Sequence, residues 1–96
     1  MAKAELIVRE RRIDASGGIL EIKVWSVPDL VEPSEHAYKY SLFYGRDGQR
    51  LVGFDNERGK GDHMHVAGIE RRYKFRSLDQ LLADFFAEVR SAGGKP

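Results

Sequence analysis

The chain has 96 residues, of which 42% are hydrophobic, 32% charged and 10% aromatic, so it has enough apolar side chains for one core and is not disordered throughout. That length favours a single domain over residues 1–96. Sixteen Lys and Arg against 15 Asp and Glu give a net charge of +1, so any nucleic acid would be bound by a local basic surface. The absence of cysteine excludes disulfide scaffolds, thiolate zinc sites and cysteine nucleophiles.

The N-terminal region contains no long apolar segment. Its longest apolar run is Leu6-Ile7-Val8, whereas a signal peptide needs about 7–15 apolar residues and a membrane span about 20. We therefore expect a cytoplasmic protein without a membrane partner.

The first half of the chain predicts two β-hairpins joined by a proline-containing connector over residues 28–35. Alternation of apolar and polar residues indicates strands with one buried face, and Tyr38, Tyr40 and Tyr44 fall on one such face. The turns are Ala15–Gly18 and Arg46–Gln49, both of which contain glycine. The predicted strands are residues 5–14, 19–27, 36–44 and 50–56.

The second half predicts a glycine-rich mobile loop over residues 57–62, a fifth strand within residues 64–75, and a C-terminal helix. Ser77 followed by Gln80 is a capping-box pattern, and Gly93-Gly94 ends the helix. The apolar stripe of this helix is Leu78, Leu81, Leu82, Phe85, Phe86 and Val89. The expected fold is α+β: an antiparallel β-meander of four or five strands with the helix packed on one face.

The most informative segment for chemistry runs from Arg50 to His65. His63 and His65 are two residues apart, so on an extended backbone both imidazoles point to the same side. Paired imidazoles suit either proton transfer or metal ligation, and Asp55 or Asp62 could orient one of them or complete a metal site. The candidate catalytic residues are His63, His65, Asp55 and Asn56.

Residues 45–76 are locally basic, with eight Lys or Arg against five Asp or Glu. With the nearby tyrosines for base stacking, this segment is compatible with an RNA-binding surface. The alternative is a solvated charged face whose tyrosines pack in the core. The candidate substrate-binding residues are Arg50, Arg58, Lys60 and Tyr44.

With these residues in hand, the chain resembles the TumE-like family of toxins of type II toxin–antitoxin systems. The resemblance covers most of the chain, although Glu57-Arg58-Gly59 stands where family members often carry a further histidine. It implies a small toxin neutralised by a cognate antitoxin protein that binds DNA, and it supplies no established mechanism. The residues that carry it are Phe54-Asp55-Asn56, His63, His65, Leu81, Leu82, Asp84, Phe85 and Phe86.

Three hypotheses for the activity follow. The first is a metal-independent endoribonuclease without a cofactor, in which His63 or His65 takes the 2′-OH proton and Arg50, Arg58 or Lys60 stabilises the phosphorane. The second is a non-catalytic module that binds RNA or a protein, and the third is a metal site built from the two histidines and an acidic residue. Exposed edge strands further predict pairing at an edge, either with an antitoxin segment or, when the protein is alone, in a homodimer.

Overall fold

The structure is a computed structural model that describes residues 3–96. It contains six antiparallel strands and one helix: β1 (Glu5–Ile13), β2 (Ile19–Ser26), β3 (Tyr38–Arg46), β4 (Gln49–Glu57), β5 (Gly61–Val66), β6 (Ile69–Arg72) and α1 (Leu78–Ser91). Each strand pairs with the next one along the chain, so the sheet order is β1 to β6. The predicted α+β meander is confirmed, but the expected number of four or five strands is wrong.

The additional strand arises between residues 57 and 75. The expected mobile loop is a tight turn, because Glu57 already pairs with Gly61 and the Gly59 N–H donates to the Glu32 carbonyl at 2.7 Å. The expected single strand after it is divided by a turn at Ala67-Gly68, where both residues have positive φ (52° and 78°). Alanine rarely adopts that conformation, so the sequence carried only a weak signal for this turn.

The helix begins and ends as the sequence predicts. The Gln80 N–H donates to Ser77 Oγ at 3.0 Å, and Gly93 follows the last turn with a φ of 88°. One side of α1 packs on the sheet and closes a single core. The buried core residues are Leu20, Ile22, Val24, Tyr40, Leu42, Tyr44, Val52, Phe54, Leu81, Phe85 and Val89.

The helix covers one face of the sheet. Phe54 on β4 contacts Phe85 on α1 with ring centroids 6.0 Å apart. Side chains on the same face of the sheet as Phe54 therefore point towards the helix. Asp55, the next residue, points to the opposite side. We call that side, which carries Asp55, His63 and His65, the open face. Within residues 3–96, no helix is long and apolar enough to cross a membrane.

Candidate functional site

Three of the predicted catalytic residues meet on the open face. Asp55 on β4 lies directly opposite His63 on β5, and His63 Nε2 lies 2.5 Å from Asp55 Oδ1. His65 is two residues along β5, and its ring centroid is 5.3 Å from that of His63. One possible ligand atom from each of the three side chains lies within 4.8 Å of the other two. We call these three residues the Asp-His-His cluster.

His63 is held by oxygen atoms on both sides of its ring. Its Nδ1 lies 3.0 Å from the Gly61 carbonyl oxygen, and its Nε2 faces the Asp55 carboxylate. A neutral imidazole has one N–H, so it can donate to only one of these two acceptors. His63 is only 3% exposed, so a large bound molecule would reach it less readily than it would reach His65.

His65 is the more accessible histidine. Its side chain is 16% exposed, and its Nε2 lies 3.9 Å from Glu70 Oε2, which is beyond hydrogen-bonding distance. Burial and the positive charge of Arg50 both lower the pKa of His65. Both effects favour the neutral imidazole, which can accept a proton from a bound molecule.

Arg50 approaches the cluster because Gly53 has no side chain. Gly53 lies opposite His65 in the sheet register, and the Arg50 side chain extends across it. A Cβ at Gly53 would lie 3.0 Å from Arg50 Cδ. The open face therefore carries a guanidinium close to His65.

The neighbouring charged residues come from β6 and from the turn before β5. Glu70 lies opposite His65 and Arg72 lies opposite His63. The Lys60 ammonium pairs with Glu70, which raises the pKa of Lys60 and lowers that of Glu70. Lys60, His63, Glu70 and Arg72 line a shallow depression, and exposed Arg58 lies in the adjoining turn. The sequence did not identify Arg72 as a site residue, because one strand was predicted within residues 64–75 where β5 and β6 pair with each other.

Asn56, also predicted to be catalytic, points away from the cluster. It is fully buried on the helix side, where its Nδ2 donates to the Tyr38 carbonyl at 2.8 Å and its Oδ1 accepts from the Tyr40 N–H at 3.0 Å. Neighbouring residues of a strand face opposite sides, so Asp55 and Asn56 cannot both join one site. Asn56 joins the end of β4 to β3.

The tyrosines also face the core, which places Tyr44 outside a substrate-binding surface. Tyr44 is fully buried, and its hydroxyl donates to Asp14 Oδ2 at 2.8 Å. Tyr40 is equally buried. The half-buried aromatic residues of the open face are Trp25 and Phe43, which occupy the alternate positions of β2 and β3. Alternation along those two strands was the signal that could have identified them.

A second His–Asp pair lies on the helix side and has a different hydrogen-bonding pattern. His36 Nε2 lies 2.7 Å from Asp62 Oδ2, while its Nδ1 accepts the Tyr38 N–H at 3.2 Å. One nitrogen donates and the other accepts, so a neutral ring satisfies both. The ring also stacks on Phe75, with centroids 3.8 Å apart. His36 and Asp62 hold the connector against the sheet and do not join the cluster.

The fold and the site thus define a small α+β domain with an Asp-His-His cluster and nearby cations on the sheet face opposite the helix. The model of the protein family described as Toxin TumE matches residues 3–92 of the chain. The chain therefore belongs to the TumE toxin family, as the sequence resemblance indicated. No curated protein and no solved structure matches the chain at a significant level.

Proposed function

We propose that the protein is the toxin of a type II toxin–antitoxin module and that it acts in the cytoplasm as a metal-independent endoribonuclease. Membership of the TumE toxin family supports the first half of this proposal. The observation that carries the second half is the convergence of Arg50, Asp55, His63 and His65 on the open face. A neutral imidazole beside a guanidinium is a suitable arrangement for cleaving a phosphodiester.

In the proposed reaction, His65 Nε2 takes the proton of a ribose 2′-OH, and the 2′-oxygen attacks the adjacent phosphorus. The bond from phosphorus to the 5′-oxygen breaks, which leaves a 2′,3′-cyclic phosphate and a 5′-hydroxyl. The departing 5′-oxygen takes its proton from water at the exposed rim of the site. The proton on His65 then returns to solvent, so the imidazole is again neutral.

The other residues bind and orient the substrate. Arg50 stabilises the negative charge that develops on the phosphorane, because its guanidinium lies on the same side of the sheet as His65. Lys60, Arg72 and exposed Arg58 bind the flanking phosphates. His63, held between Gly61 and Asp55, is a positioning residue that packs against the His65 ring.

The family implies an antitoxin partner, and we propose that this partner is a DNA-binding protein that covers the open face. It would neutralise the toxin by excluding RNA from the cluster. In the absence of antitoxin, we propose that two toxin chains form a homodimer.

The test is cleavage of a single-stranded RNA that carries a fluorophore and a quencher, in buffer with EDTA. We expect wild-type protein to cleave it, and His65→Ala to be at least about a hundredfold slower, as expected for loss of a proton-transfer group. Arg9→Ala changes a cation on distant β1 and serves as the control. RNA binding by wild-type protein without cleavage would contradict the proposal and favour a non-catalytic binding module.

A further inference from the structure

The Asp-His-His cluster has the donor set of a transition-metal site. Two imidazole nitrogens and one carboxylate oxygen lie within 4.8 Å of one another. Zinc and the neighbouring divalent metals take these ligands, and sites with three protein ligands keep a further position open. We propose that Asp55, His63 and His65 bind one divalent transition-metal ion, for which Zn²⁺ is the probe.

The hydrogen bonds of His63 provide the strongest support. A histidine that binds metal through one nitrogen commonly donates its other N–H to a backbone carbonyl, and His63 Nδ1 lies 3.0 Å from the Gly61 carbonyl. In that tautomer the Nε2 lone pair faces Asp55 Oδ1, a buried oxygen without a hydrogen-bond partner, at 2.5 Å. A cation between the two atoms would satisfy both.

The adjustment between Asp55 and His63 is small, whereas the ligand atom of His65, within 4.8 Å of the other two, would move towards them. Ligand atoms around a tetrahedral zinc ion lie about 3.3 Å apart, so Asp55 and His63 would separate by roughly 0.8 Å. The Asp55 side chain is 26% exposed, which leaves room for it to rotate. The positive charge of Arg50 opposes an added cation, whereas the carboxylates of Asp55 and nearby Glu70 favour it.

The His36–Asp62 pair differs from the Asp55–His63 pair, because each of its polar atoms has a hydrogen-bond partner. The Asp62 carboxylate accepts from Ser34 Oγ and lies against His36 Nε2, and His36 Nδ1 accepts a backbone N–H. All these groups are satisfied without a cation. His36 is therefore the matched control histidine within the same chain.

Metal binding would also regulate the proposed activity. The ion would occupy the one nitrogen lone pair of the neutral His65 imidazole, which the proposed ribonuclease uses to accept the 2′-OH proton. Zn²⁺ would thus inhibit RNA cleavage. This consequence rests on the proposed function, whereas metal binding itself does not.

Metal binding is tested by titrating metal-free protein with Zn²⁺ in a calorimeter, and with Co²⁺ while its visible absorption is recorded. We expect one ion per chain, with affinity reduced at least about tenfold in Asp55→Asn and in His65→Gln. His36→Gln should bind as wild type does. Circular dichroism establishes that each variant is folded, and Asp55 and His65 are chosen because they are more exposed than His63.

Failure to bind one ion at micromolar Zn²⁺, or undiminished binding in both folded variants, would overturn the metal site. The RNA assay, repeated with metal-free protein in buffer without EDTA, then separates the two proposals. Inhibition by Zn²⁺ at the concentration that fills the site supports both, while binding without any RNA cleavage supports the site and rejects the ribonuclease. Cleavage that requires Zn²⁺ retains the site and rejects the metal-independent mechanism.

Discussion

Arg50 lies across Gly53, with its Cδ 3.0 Å from the position that a Cβ would occupy on that glycine. Glycine in the interior of a strand usually weakens it, and it commonly marks a place where another group approaches closely. Here the approaching group is the guanidinium that the proposed mechanism uses. Gly53 thus leaves room for the Arg50 side chain, and in the proposed mechanism it positions that residue although it has no side chain of its own.

Gly53→Ala should displace Arg50 and slow RNA cleavage about tenfold, with the melting temperature unchanged or slightly higher, since alanine restricts the unfolded chain more than glycine does. The measurement is the cleavage rate together with thermal unfolding. Arg50→Ala should produce a similar loss of activity. In the Arg50→Ala background, Gly53→Ala should have no further effect, and independent losses that multiply would show that Gly53 acts by another route.

Asn56 should contribute to stability rather than to chemistry. Asn56→Ala removes the partners of the Tyr40 N–H and the Tyr38 carbonyl in a fully buried position. We expect the free energy of unfolding, measured in urea, to fall by about 2–4 kcal/mol. Ser41→Ala, at an exposed position of β3, should change it little. Loss of activity at unchanged stability would instead place Asn56 in the reaction.

The sequence predicted the cluster because side chains alternate between the two faces of a strand with a period of two residues. Residues two apart on a strand share a face, which correctly grouped His63 with His65, and register then brought Asp55 beside them. The same period separates Asn56 from Asp55. Arg72 could not be predicted, because its pairing with His63 depends on a turn through Ala67, a residue that seldom adopts positive φ.

The tyrosines of β3 illustrate a second limit of structure prediction from sequence. Tyr38, Tyr40 and Tyr44 were correctly predicted to share one face, but alternation alone does not reveal which face the helix covers. The structure packs that face against α1, with Tyr40 and Tyr44 in the core. The apolar stripe of α1 predicted packing on a sheet face, and only long-range contacts between α1 and the strands identify which one.

Asp14 should make the stability of the fold depend on pH in the acidic range. Hydrogen bonds, first from Ser16 and then from the Lys95 N–H, lower the pKa of Asp14 well below its usual value near 3.8. Because the pKa of Asp14 is lower in the folded than in the unfolded protein, the ionised carboxylate stabilises the fold at any pH above the unfolded-state pKa. This stabilisation is lost as the pH falls through the folded-state pKa. Asp14→Asn should therefore lower the melting temperature at pH 7.

At low pH the difference in melting temperature between wild type and Asp14→Asn should shrink. Protonation of Asp14 removes from wild type the stabilisation that the Asn variant lacks at every pH. Thermal unfolding from pH 7 down to pH 2 measures this convergence. Asp29→Asn, in an exposed part of the connector, is the control and should follow wild type throughout. Parallel curves for Asp14→Asn and wild type would contradict the assigned role of Asp14.

The proposed homodimer should form through β1. This edge strand has nine residues against four in β6, and it exposes three large apolar side chains, Leu6, Ile7 and Ile13. A long edge with unpaired backbone groups and exposed apolar residues favours pairing with a second strand.

Ile13→Lys should weaken dimerisation at least about tenfold, since it places a charge in that contact. Ile69→Lys makes the same change on β6, where it should leave dimerisation unaffected. Sedimentation equilibrium at micromolar protein measures both, and a wild-type monomer throughout that range would exclude the homodimer while leaving antitoxin binding intact.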